Sequence, residues 1–119
     1  MPRDGGELTL EQRVTALLVT PEPLKVWLRT QPPDESAGIC VAPLSCVLAR
    51  FLEHQLGILV SIGVGQPPRS HGTVEPVTPP DFLVIMPEWA DRLATWFDRS
   101  SSIDEPGPTH AEVLAYLEA

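Results

Sequence analysis

Lysine is nearly missing from this chain. Only Lys25 occurs, and the 8 Lys and Arg residues face 16 Asp and Glu, a formal net charge of −8. No run of basic side chains remains to follow a phosphate backbone, so direct nucleic-acid binding is excluded and a protein partner of basic character is favoured. Long apolar runs are also lacking: no stretch approaches the roughly 20 residues of a membrane span, and the opening Met1-Pro2-Arg3-Asp4-Gly5-Gly6-Glu7 has no signal-peptide core. No membrane association is expected, and the expected location is the cytoplasm. Cysteine is limited to Cys40 and Cys46, close neighbours in sequence, which read as free thiols of a reducing compartment. Phosphate-binding glycine loops are missing too. Gly63-Val64-Gly65 runs into the pair Pro67-Pro68 instead of a helix, and no cofactor is implied.

What is present suits one folded domain. At 119 residues with 43% hydrophobic residues, the chain can bury a single core. Residues 1–8 read as a frayed lead-in. Thr9 caps a first helix with Gln12 three residues on, and Leu10, Val14, Leu17 and Leu18 repeat at helical spacing. Thr20-Pro21 starts a second helix, with Leu24, Trp27 and Leu28 as its apolar stripe. The proline-interrupted segment 31–38 reads as an exposed connection, and Ile39-Cys40-Val41 as a short strand. Pro43 opens a third helix, lined by Leu44, Leu48, Phe51, Leu52 and Leu56, which Gly57 stops.

Ile58 to Val64 alternates, with Ile58, Val60, Ile62 and Val64 on one side and Leu59, Ser61 and Gly63 on the other, the pattern of a half-buried strand. Thr73 to Val77 reads as an edge strand, because Pro76 cannot donate to a ladder. The unbroken apolar run Phe82 to Met86 reads as the central strand, covered on both faces. Pro87 then starts a helix on which Trp89, Leu93, Trp96 and Phe97 share a face. Thr109 and Glu112 form the capping box of a last helix, with Val113, Leu114 and Leu117 inward. The expected fold is α+β: a small two- or three-stranded mixed sheet covered by four or five short helices.

Cys46 has the most reactive address, since a thiol in the first turn of a helix sits among unpaired N–H groups that favour its anion. His71, in a loop, and Asp81, before the apolar run, follow in chain order. A cysteine at a helix start followed by a histidine and a carboxylate resembles the layout of papain-like and NlpC-type cysteine hydrolases. That resemblance would make Cys46 nucleophile, His71 base and Asp81 orienting group. The simpler alternative packs Cys46 as a small apolar side chain and leaves His71 solvated. A metal site would draw on Cys40, Cys46, His54, His71 and His110, but the cysteine spacing matches no zinc knuckle. His54 lies about 12 Å beyond Cys46 along a helix axis, so none is expected.

Acids dominate the C-terminal part: Asp81, Glu88, Asp91, Asp98, Asp104, Glu105, Glu112 and Glu118 stand against Arg92 and Arg99. They read either as a merely solvated face or as an acidic surface able to attract a basic partner. Trp89, in the first turn after Pro87, is the aromatic best placed for an interface, so Trp89, Glu88, Asp91 and Asp98 are the candidate binding residues. The segments Ser45-Cys46-Val47-Leu48-Ala49-Arg50-Phe51-Leu52, Met86-Pro87-Glu88-Trp89-Ala90 and Thr109-His110-Ala111-Glu112 resemble small uncharacterised bacterial or phage proteins with a Ser-Cys-x-Leu-Ala helix. That resemblance brings no activity with it. The expected function is that of a non-enzymatic interaction or accessory protein, the small cysteine hydrolase or transferase being the alternative.

Overall fold

The computed structural model describes residues 8–63, 72–79 and 81–119. Local chemistry accounts for most helix boundaries. Helix α1 (Leu10–Leu18) opens on the Thr9/Gln12 capping box, with the Thr9 hydroxyl accepting from the Gln12 N–H at 3.1 Å and the Gln12 side chain accepting from the Thr9 N–H at 2.9 Å. Helix α2 (Glu22–Arg29) starts at Pro21 and buries Leu24, Trp27 and Leu28. Helix α3 (Val47–Leu56) ends where Gly57 turns left-handed at φ 74°. Helix α4 (Glu88–Arg99) follows Pro87, and α5 (His110–Glu118) opens on the Thr109/Glu112 capping box.

The sheet is β1 (Val60–Gly63), β2 (Thr73–Pro76) and β3 (Val84–Ile85), in that order, with both pairs antiparallel. Three strands and five helices among the described residues make the α+β fold that the alternation patterns indicate. The inner face carries Val60, Ile62, Val74, Val84 and Met86. They join Leu48, Phe51 and Leu52 of α3 and Leu93 and Phe97 of α4 in one core. The outer face, carrying Leu59, Ser61, Thr73, Glu75, Val77, Leu83 and Ile85, is left partly in solvent.

Four expectations need correction. First, Thr73–Pro76 is the central strand, and Phe82–Met86 supplies only a two-residue edge strand. Pro76 is tolerated because Val77 donates its N–H to Leu59 in the β1 direction at 3.1 Å, so the Pro76 nitrogen faces the other side. There β3 reaches only Thr73 and Val74. Second, the Phe82–Met86 run alternates, with Val84 and Met86 buried but Leu83 49% and Ile85 63% exposed. It has one covered face, not two.

Third, α3 begins at Val47 instead of Pro43. Residues 42–46 form a turn in which the N–H groups of Ser45 and Cys46 both donate to the Ala42 carbonyl at 3.0 Å, making Cys46 the N-cap. Fourth, the connection at 31–38 and the expected strand at Ile39–Val41 belong to an irregular ribbon. Ala37 donates to Pro108 at 2.8 Å, Gly107 to Gly38 at 2.9 Å, Cys40 to Glu105 at 2.9 Å and His110 to Glu35 at 2.9 Å. Prolines 33, 106 and 108 lack donors, which leaves isolated bridges at Ser36/Thr109 and Ile39/Pro106 instead of a strand pair.

Candidate functional site

Two places carry the residues singled out by their chemistry, and a third is an apolar surface groove. The first is a cleft of about 380 Å³ between the start of α3, β1 and the end of α4, lined by Pro43, Cys46, Ile62, Ala94, Asp98 and Arg99 among others. Cys46 contributes a thiol that is only 6% exposed. Burial pushes that thiol up to about 11, the amide groups of Ala49 and Leu48 at the helix start pull it partly back, and the Asp98 carboxylate raises it further. At neutral pH the thiol is protonated. The helix terminus that favours an anion is thus outweighed by desolvation. Cys40 is likewise raised by burial, with Asp98 adding to the effect, and its thiol donates to the Phe97 carbonyl at 3.0 Å.

Asp81 does not share this cleft. It is exposed and lines a separate one of about 450 Å³ with Thr9, Leu10, Glu11 and Phe82. His71 lies outside the described residues, as do Val64 and residues 1–7. Cys46 and Asp81 are therefore not brought together in one cleft. Among the described residues no group of three His, Cys, Asp or Glu side chains converges to hold a metal. His110 is buried, donating from Nδ1 to the Pro32 carbonyl at 2.8 Å with its ring edge-on to Trp27 at 5.8 Å.

The second place is α4, whose candidate binding residues make internal contacts. Trp89 is half-buried and donates its indole N–H to the Leu18 carbonyl at 2.8 Å, tying α4 to the end of α1. Glu88 pairs with Arg92 at 3.0 Å one turn on, both well exposed. Asp91 accepts from the Gly72 N–H at 3.1 Å, and Asp98 from the Val41 N–H at 2.9 Å. Beyond α4, Glu112 caps α5 and Glu118 meets Arg29 at 2.8 Å. Much of the acidic surface is thus engaged in holding turns and helix ends.

The third place holds none of the site residues that the sequence singles out. A groove of about 430 Å³ runs between α1 and the outer edge of β3, lined by Thr15, Leu18, Val19, Leu83, Ile85 and Pro87 among others. Val19 is 66% exposed, beside the similarly exposed Leu83 and Ile85. Three large apolar side chains held at one rim of a small protein mark a contact surface more often than a solvated one. The sequence signal was the alternation Leu83/Ile85 against Val84/Met86, concealed because both faces of the run are apolar.

Among the described residues no helix is long and apolar enough to cross a membrane. Comparison with protein-family models, with curated proteins and with solved structures found no match for this chain.

Proposed function

We propose that this chain is a non-enzymatic interaction or accessory protein, of the bacterial or phage kind its helix segments resemble, and that it binds a protein partner through the outer sheet face and the groove beside α1. The observation that carries this function is the exposure of Leu83, Ile85 and Val19 around one groove. With half to two-thirds of each side chain in water, they forgo roughly 1–2 kcal/mol of burial apiece, which a partner would recover. The protonated Cys46 thiol, in a different cleft from Asp81, lends no support to the cysteine hydrolase. The net charge of −8 favours a basic partner. Action in the cytoplasm is part of the same proposal, supported by Cys40 and Cys46 being free thiols.

The test is retention of proteins from an extract of the source cells on immobilised wild-type chain and on Ile85→Asp. Ile85 is 63% exposed, so the substitution is expected to leave the fold intact, which the circular dichroism spectrum of the variant checks. A protein held by the wild type, released by salt and lost with Ile85→Asp is the expected outcome. Equal retention on both, or none on either, would overturn the proposal.

A further inference from the structure

Strand β3 is half-used. Met86 donates to the Gly72 carbonyl at 2.9 Å, and Val74 is partnered by Val84, so the hydrogen-bonded positions toward β2 are Val84 and Met86. Antiparallel geometry then directs the N–H and C=O of Leu83 and Ile85 away from the sheet. Among the described residues no hydrogen bond takes these groups up. Folded proteins commonly blunt such an edge with lysine, proline or a bulge, and none of these lies between Leu83 and Ile85. The open edge forms one wall of the groove whose other wall is α1.

The groove has a charged end. It shares Glu11 with the neighbouring cleft that holds Asp81. Both carboxylates are exposed, and neither has an ion-pair partner among the described residues. Glu11 serves the first turn of α1, where an acid is favoured by the helix dipole. Asp81 has no such task.

We infer that this groove takes an extended segment of the protein partner, which pairs as a fourth strand along Leu83–Ile85 and sets a lysine or arginine side chain between Glu11 and Asp81. The inference rests on the interaction function proposed above and gives it a partner chemistry. A helix would satisfy its own backbone and leave the edge open, whereas an extended chain supplies N–H and C=O groups at the matching period. A second copy fits less well. A two-fold β3–β3 pairing centred on Val84 sets Asp81 against Pro87 and next to Glu88, between two molecules that each carry −8.

Selection of random linear octapeptides on the full chain tests this directly. The expected winners alternate apolar and polar residues and carry lysine or arginine near one end. Their synthetic versions should shift the Leu83 and Ile85 amide resonances. N-methylation of alternate peptide nitrogens should abolish binding in one phase and spare it in the other, a readout that leaves the protein unaltered. Glu11→Gln with Asp81→Asn should weaken binding about three- to tenfold and flatten its salt dependence.

Winners without alternation, resonance shifts elsewhere, or indifference to N-methylation would overturn the inference. Ile85-dependent retention of a cell protein would leave the interaction function standing beside that failure, whereas its absence would remove both. A chain that sediments as a dimer, and as a monomer with Ile85→Asp, would assign the edge to a second copy and also overturn it.

Discussion

Asp98 accepts a hydrogen bond from the backbone N–H of Val41 at 2.9 Å, and Val41 sits at φ 53°, in the left-handed region that a β-branched side chain strongly disfavours. The last turn of α4 thereby clamps the turn leading into α3, on the rim of the Cys46 cleft. Left-handed geometry at a non-glycine residue costs about 1–3 kcal/mol and persists only where its surroundings enforce it.

Removing the clamp should therefore cost more than an ordinary surface substitution. Asp98→Ala is expected to lower unfolding stability by about 1–3 kcal/mol. Val41→Gly, which relieves the strain while the Asp98 contact stays, should raise it by about 1 kcal/mol. Urea unfolding of both variants checks the pair, and a Val41→Gly protein less stable than wild type would show that the strain is not being held there.

Cys46 links stability to pH with a definite sign. Burial pushes it up to about 11 in the folded protein, above the ordinary 9.0 of a thiol, so folding favours the protonated form. Below pH 9 both states are protonated and the group adds no pH dependence. Between pH 9 and 11 the unfolded chain ionises first, and stability should fall by about 2–3 kcal/mol. The Cys46→Ala variant should lack this component, which assigns it to this thiol. Alkylation gives a second check: Cys46 should react in step with unfolding and show no rate inflection below about pH 10.

The accuracy of the sequence patterns followed the range of the interactions they record. Thr9/Gln12 and Thr109/Glu112 fall within one helical turn, and both capping boxes are present as written in the sequence. Val60 and Ile62 alternate with Ser61 and Gly63, and β1 buries them accordingly. Failures came where a distant segment decides. Pro76 argues against a central strand only if β3 is long enough to meet it, and the ribbon of residues 33–40 against 104–111 joins two proline-rich segments with no period. Pro43 and the apolar stripe after it put Cys46 near a helix start, where it is the N-cap of α3, but its surroundings of Ile62, Ala94 and Asp98 come from elsewhere in the chain. The outer groove was hidden for the same reason, since Leu83 and Ile85 are as apolar as the Val84 and Met86 they alternate with.

That ribbon can be tested at Gly38. A Cβ built there would lie 2.6 Å from the Ser45 carbonyl oxygen and 2.8 Å from the Val47 nitrogen, both backbone atoms that cannot swing aside. Gly38→Ala should separate the ribbon from the start of α3 and cost more than about 3 kcal/mol, enough to unfold a protein of ordinary stability. Gly57→Ala makes the contrasting case, because nothing lies within 4 Å and only its φ of 74° is at issue. Its cost should stay near 1 kcal/mol. Thermal melts of the two alanine variants distinguish steric crowding from backbone strain.

Trp27 offers a test in the opposite direction. It is 7% exposed, packed against Phe51 at 5.7 Å and His110 at 5.8 Å, yet its indole Nε1 is buried and has no hydrogen-bond partner among the described residues. Leaving such a donor unsatisfied costs about 1–3 kcal/mol. Replacement by phenylalanine removes that penalty while giving up part of the buried apolar area, so Trp27→Phe should fall within about 1 kcal/mol of wild type. Trp27→Ala loses the packing with nothing in return and should cost about 3–5 kcal/mol. The gap between the two measures how far the orphan N–H offsets the ring's packing; a Trp27→Phe loss as large as the alanine loss would show that the N–H is satisfied in solution.

Ile85 and Leu83 distinguish surface retained for contact from surface needed for folding. Side chains that are 63% and 49% exposed contribute little to the core, so Leu83→Lys with Ile85→Lys should leave the unfolding free energy within about 0.5 kcal/mol of wild type and the urea midpoint nearly unchanged. The same lysines protect an open strand edge and break an apolar patch, so association at high protein concentration should fall, measured by light scattering. The substitution also reduces the net negative charge of −8, which by itself would weaken repulsion between copies and promote association. A decrease in scattering would therefore have to come from the edge and not from overall charge. An unchanged midpoint with lower scattering would mean that these residues form a contact-prone edge that folding does not need; a large stability loss would mean that they support the sheet, and the groove beside α1 would then lose its standing as a binding surface.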